Sequence, residues 1–93
     1  MRFEWDDAKA AANLRKHRVS FEEAAEVFYD PYAFDDYDSE HSDEEARFFI
    51  IGLSSRRMLY VVYAETSGDV MRIISARRAS KLERKIYERE RSS

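Results

Sequence analysis

Arginines set inside an apolar run are the residues of this sequence best equipped for chemistry. Arg72-Ile73-Ile74-Ser75-Ala76-Arg77-Arg78-Ala79-Ser80 carries guanidinium groups through a strand-like stretch into the start of a final helix. On a regular pleat Arg72 falls on the same side as Val70 and Ile74, so it needs a partner. A guanidinium keeps its charge and offers a planar fork of donors, which leaves an internal acid or an anionic ligand as candidates. Arg47 opens another apolar run, and His17 adds an imidazole able to act as base or acid. Such a set suits metal-free cleavage of a phosphodiester, which needs a base for the 2′-hydroxyl, fixed positive charge for the phosphorane and an acid for the leaving oxygen. The competing reading pairs the same arginines with acids of the chain itself.

The charge distribution keeps both readings open. Residues 1–46 hold 14 acids against 5 lysines and arginines, a balance of −9, whereas residues 47–93 hold 5 acids against 11, a balance of +6. A basic half within a chain of net charge −3 suits a local polyanion site without making the whole surface cationic. With 93 residues, one Pro and two Gly, a single domain spanning 1–93 with little linker is expected. The N-terminal stretch lacks the apolar core of a signal peptide, and no apolar run is long enough for a membrane span, so a cytoplasmic location is expected. The absence of cysteine excludes disulfides, thiolate catalysis and most structural zinc sites.

The elements that must position these residues are marked by their caps. Arg2 to Trp5 reads as an edge strand, and Asp6 as the N-cap of a helix from Asp7 to about His17. On that helix Ala8, Ala11 and Ala12 form a small-residue face for packing, while Lys9, Asn13, Lys16 and His17 line one polar stripe. The stripe reads as a solvated face or as a basic surface for phosphate. Ser20 and Glu23 form a capping box, after which Phe21, Ala24, Ala25 and Phe28 make an apolar stripe that ends at Asp30-Pro31. Residues 33–37 suit a strand. The polar run after them suits a loop, with Ser42 and Glu45 as a further capping box and with His41 and its acids as a weak metal set lacking calcium-loop spacing. Residues 46–54, 58–64 and 70–76 read as three strands of an antiparallel meander. Ser80 and Glu83 cap a last helix that docks through Leu82 and Ile86. The order predicts an α+β domain: an antiparallel sheet with two N-terminal helices and one C-terminal helix.

Taken in order, the motifs resemble one family. Phe3-Glu4-Trp5-Asp6, Lys9, Asn13, Lys16-His17, Val19-Ser20-Phe21-Glu22, Val27-Phe28-Tyr29-Asp30, His41-Ser42 with Glu45 and Arg47, Gly52, and Arg72-Ile73-Ile74-Ser75-Ala76-Arg77 with Glu83 and Tyr87 are similar to the BrnT toxins. The resemblance implies a RelE-like fold and a metal-independent, cofactor-free endoribonuclease of a type II toxin-antitoxin system. It implies RNA cleavage that inhibits translation until a cognate BrnA-like antitoxin binds. That partner would carry a ribbon-helix-helix module, so DNA would be met only indirectly through it. The same resemblance makes Arg72, Arg77, Arg47 and His17 the catalytic candidates, with Lys9, Lys16, Ser75 and Tyr87 as substrate contacts. A noncatalytic co-regulator of a DNA-binding antitoxin is the alternative. The family usually has Gly after the Lys-His pair, where this chain has Arg18; a left-handed C-cap there would cost about 1 kcal/mol.

Overall fold

The structure, a computed structural model, describes residues 1–40 and 45–92. The elements run β1 (Arg2–Glu4), α1 (Asp7–His17), α2 (Phe21–Glu26), a 3₁₀ turn (Val27–Tyr29), β2 (Phe34–Tyr37), β3 (Phe48–Leu53), β4 (Met58–Ser67), β5 (Val70–Arg78) and α3 (Lys81–Ser92). The strands form one sheet in the order β1-β5-β4-β3-β2. The expected meander β3-β4-β5 is present, and β2 pairs antiparallel with β3 at one edge. At the other edge β1 runs parallel to β5, so the sheet is mostly and not wholly antiparallel. The helices between β1 and the rest supply the long connection that a parallel pair needs. The two helical layers match the α+β expectation.

Caps fix the helix starts. Asp6 Oδ1 accepts from the amides of Ala8 and Lys9 at 2.8 and 3.1 Å, as an N-cap should. Ser20 Oγ accepts from the Glu23 amide at 3.0 Å, but the return half of that capping box is replaced, because the Glu23 carboxylate turns to Arg57. Arg18 takes the left-handed conformation at φ 60° and ψ 32°, with its amide on the Leu14 carbonyl at 3.0 Å. Arg18 therefore makes the left-handed cap itself, without a glycine. Ser42 of the further capping box lies outside the described residues, as does His41.

One face of the sheet lies under α1 and α2. Its core holds Val19, Phe21, Ala24, Val27, Ile50, Leu59, Val61, Tyr63, Ile73 and Ala76. The apolar stripe of α2 thus packs as expected. The stripe of α1 does not: Ala8, Ala11 and Ala12 face solvent, while Ala10, Asn13 and His17 turn inward. A buried amide explains this choice. Asn13 Nδ2 donates to the carbonyls of Val19 and Ala76, and Asn13 Oδ1 accepts from the Ala76 amide. That side chain satisfies the edge of β5 beyond the reach of β1, as a neighbouring strand would.

The other face carries a second core of Ile51, Met58, Ala79 and Tyr87, with Phe34, Phe49, Tyr60 and Ile86 packed against it. α3 covers this end through Ile86 and Tyr87. Leu82 is 68% exposed and does not dock. Asp30 ties the two layers together: it accepts from the amides of Tyr32 and Leu53 and from the Tyr87 hydroxyl, at 2.9, 2.8 and 2.9 Å. Gly52 permits that approach, since a Cβ there would stand 2.8 Å from Val27 Cγ1.

Candidate functional site

A β-bulge decides which arginines share a face. Val62 pairs with Ser75 but Tyr63 pairs with Ile73, so Ile74 is an extra residue in β5. On a regular pleat Arg72 and Arg77, five apart, would point to opposite faces. The bulge corrects this. Ile73 and Ala76 both turn into the α1/α2 core, while Arg72, Ser75 and Arg77 all turn to the α3 side.

Arg77 sits in a built site. Its guanidinium lies over the Tyr60 ring, 4.3 Å from the centroid. Tyr60 in turn stacks on Phe49 at 5.4 Å and 14°, and Phe34 lies beyond at 6.1 Å, giving a ladder across four strands. Glu83 grips the end of the guanidinium: Nη1 donates to Oε1 and Nη2 to Oε2, both at 2.8 Å. Nη1 also donates to the Arg78 carbonyl at 3.2 Å. Glu83 is itself fixed by both halves of the Ser80 capping box, the Ser80 amide reaching Oε1 at 2.8 Å and the Glu83 amide reaching Ser80 Oγ at 3.2 Å. Burial works to raise the Glu83 carboxyl, but the bonds from Arg77 and Ser80 outweigh it and hold it below the usual range. The bond to Glu83 raises Arg77 in turn. Burial, with Asp38 and Glu83 nearby, raises the Tyr60 phenol and keeps it neutral.

The remaining candidates are distributed less evenly. Arg72 donates through Nη2 to Glu45 Oε1, with side chains 35% and 39% exposed, and Glu4 of β1 stands beside it in register. The internal-acid reading is thus realised for both arginines. Ser75 lies between them, half-buried and opposite Val62. Arg47 precedes β3 by one residue, its carbonyl accepting from the Asp38 amide at 2.8 Å, and alternation gives it the side of Phe49. Lys9, Lys16 and His17 are carried by α1, in the opposite layer; α1 borders the β5 edge at Ala76. The structure therefore does not gather them with Arg72 and Arg77 into one pocket. Tyr87 is 2% exposed, with its hydroxyl on Asp30, and burial pushes its phenol up to about 12.

Sequence reading missed Phe49, Tyr60 and Glu83 as members of this site. Their signals, two aromatics in strands and a capping glutamate, are those of ordinary packing and capping. A cleft of about 360 Å³ lies at the far end of α3, lined by Pro31, Tyr32, Ala33, Phe34, Glu90 and Arg91. Among the described residues no group of three His, Asp or Glu converges to hold a metal ion. No helix among them is long and apolar enough to cross a membrane.

The architecture can now be set beside known proteins. A family profile described as the ribonuclease toxin BrnT of type II toxin-antitoxin systems matches residues 5–83. The chain belongs to the BrnT toxin family. The crystal structure of the Brucella abortus ribonuclease toxin BrnT is similar in fold, with a TM-score of 0.68 at 21% identity, covering 87% of this chain and 99% of that one. No curated protein sequence matches the chain. The matched span includes Arg72, Arg77 and Arg78 of β5 and ends on Glu83, while Tyr87 lies beyond it.

Proposed function

We propose that this chain cleaves RNA within the strand and so inhibits translation, with the α3-side arginine face as its working surface. Membership in a ribonuclease toxin family supports the reaction class. The observation that carries the assignment is the Ile74 bulge, by which Arg72, Ser75 and Arg77 share one side of the sheet. Bulges re-aim side chains at the cost of regular pairing, and here the re-aimed residues are cations. With a rise of about 3.3 Å per residue, the backbones of Arg72 and Arg77 stand roughly 13 Å apart along β5. They therefore suit different phosphates of one strand, Arg77 at the reacting centre and Arg72 on a flanking phosphate, with Arg47 assisting.

Fixed guanidinium groups stabilise charge that develops on the phosphorane without a metal. His17 and the lysines of α1 act at the border of the same strand, as base or as contacts to the RNA. Cleavage of a defined RNA by the purified protein, with and without EDTA, tests this reading. Loss of activity in EDTA, restored by a divalent ion, would refute metal independence. Unimpeded growth of cells that accumulate the soluble protein would refute toxicity.

The site has a natural inhibitor by charge. An acidic or apolar segment of a BrnA-like antitoxin laid over this face would associate quickly and exclude RNA together. In that setting the toxin works in the cytoplasm and meets DNA through the antitoxin's ribbon-helix-helix module. The pairing of both arginines with Glu45 and Glu83 favours a second reading, a noncatalytic co-regulator whose cations are structural. Failure of the purified parent protein to cleave RNA, with antitoxin binding intact, would select it.

A further inference from the structure

We infer that Glu83 is a positioning residue that turns Arg77 into a rigid, half-open phosphate fork, so that one edge of the guanidinium is clamped and the other is presented to a phosphodiester. This inference rests on the RNA reading for the identity of the ligand and on geometry for the rest. A guanidinium has five N–H donors arranged as two forks, one between the two Nη atoms and one formed by Nε with the outer Nη2 hydrogen. Glu83 takes the first fork, and the Arg78 carbonyl takes the outer hydrogen of Nη1. Nε–H and one Nη2–H have no partner among the described residues, and together they form the second fork.

The clamp is stiff at every joint. The carboxylate is held by the Ser80 amide at the N-terminus of α3, where the helix dipole also favours a negative charge. Tyr60 supports the guanidinium plane from below, and Phe49 supports Tyr60. With 40% of its side chain exposed, Arg77 retains an open side. Little rotamer freedom is left to lose when a phosphate binds, which is where preorganisation gains affinity. Glu83 therefore helps anion binding despite its own charge. A carboxylate that merely neutralised the arginine would do the opposite, so removing it distinguishes the two by sign.

The test uses the full chain, labelled with ¹⁵N, and inorganic phosphate as the first probe. The Nε–H resonance of Arg77, identified by its loss in Arg77→Lys, is expected to shift saturably on titration. In Glu83→Ala the two Nη signals should average through faster rotation, and phosphate affinity should fall about fivefold or more although one negative charge is gone. Glu83→Gln, which keeps an acceptor for the Ser80 amide, should fall in between. Leu82→Gly weakens the same helical turn at an exposed position and should leave phosphate affinity unchanged. Tighter phosphate binding in Glu83→Ala, an Arg77 signal indifferent to phosphate, or an equal loss in Leu82→Gly would overturn the inference. A 2′-O-methyl RNA oligonucleotide is the second probe. Failure of the parent protein to bind it, with the phosphate result intact, would refute the RNA reading and leave the fork standing.

Discussion

Two glutamate–arginine pairs, Glu23–Arg57 and Glu83–Arg77, share their chemistry and differ in what they leave open. Glu23 takes the side fork of Arg57, with Nε on Oε2 at 3.0 Å and Nη2 on Oε1 at 2.9 Å, and Nη2 also reaches the Arg18 carbonyl at 2.6 Å. The side chains are 16% and 7% exposed. Ser54 adds its hydroxyl to the same carboxylate at 2.7 Å. That pair holds the β3–β4 turn against α2 and the cap of α1. Glu83 takes the end fork of Arg77 and leaves the side fork outward. The same two residue types make a closed joint in one place and an open receptor in the other, and the edge of the guanidinium that is used decides which.

The largest expected effect breaks the closed joint. Arg57→Ala strands the Glu23 carboxylate among protein atoms and should cost about 3 kcal/mol, a loss of roughly 12–24 °C in thermal midpoint for a chain of this size. Changing both partners, Glu23→Leu with Arg57→Met, should restore part of that loss, because no charge is then left uncompensated. Thermal denaturation of the single and double variants checks this. A single variant that melts with the parent would erase the contrast between the pairs.

Next comes the open receptor. Arg77→Ala should lower RNA cleavage about a hundredfold or more, the scale of losing one transition-state donor. Its effect on stability should stay within about 1 kcal/mol, as for other exposed pairs. Arg77→Lys keeps the charge but lacks the fork and should also cleave poorly. Cleavage rates measured beside thermal midpoints decide the matter. An Arg77→Ala protein that unfolds, or that cuts at the parental rate, would make the two pairs equivalent after all.

A third variant probes the seam between these regions. Asn13→Ala leaves the Ala76 amide and carbonyl without their partner and should cost about 2 kcal/mol. Since Ala76 adjoins Arg77, cleavage should fall as well when assayed well below the melting range. Chemical denaturation together with cleavage at low temperature would test both halves, and an unchanged protein would show that the β5 edge needs no cover.

What could be read in the sequence was local, and what could not was long-range. The Asp6, Ser20 and Ser80 caps, the Arg18 turn and the three central strands depend on neighbours within a few residues. The strand arginines were legible as cations needing partners. The partner of Arg72 was not, since Glu45 lies 27 positions away, and neither were the Glu23–Arg57 and Tyr87–Asp30 contacts, which span 34 and 57 positions. The bulge at Ile74 escaped for a related reason: a run of apolar residues on both faces carries no periodicity to reveal a one-residue slip. Asn13 looked like a member of a polar stripe, and helix periodicity does not distinguish a buried amide from a solvated one. The parallel β1 escaped because edge pairing leaves no mark in three residues.

The smallest expected effect separates the pairs by acid. The Glu23 carboxyl is held below its ordinary value chiefly by the Arg57 bond, against the opposing pull of burial. For Glu83 burial is the leading influence and raises the carboxyl, with Arg77 and the Ser80 amide reversing it to a net lowering. A carboxyl lowered in the folded state binds fewer protons there than in the unfolded chain. It therefore adds stability above its ordinary value of 4.5, and that contribution is lost as the pH falls through the folded value. Stability should be level near neutrality and decline from about pH 4.5 downward. Asp30, also lowered despite burial, adds to the same limb. Glu23→Gln should flatten the acid decline more than Glu83→Gln, because its carboxylate is the more enclosed and has the guanidinium as its main support. Thermal midpoints taken from pH 7 down to about pH 3 for the parent and both variants measure this. A steeper dependence on Glu83 would mean that the receptor, and not the joint, holds its carboxylate the more tightly.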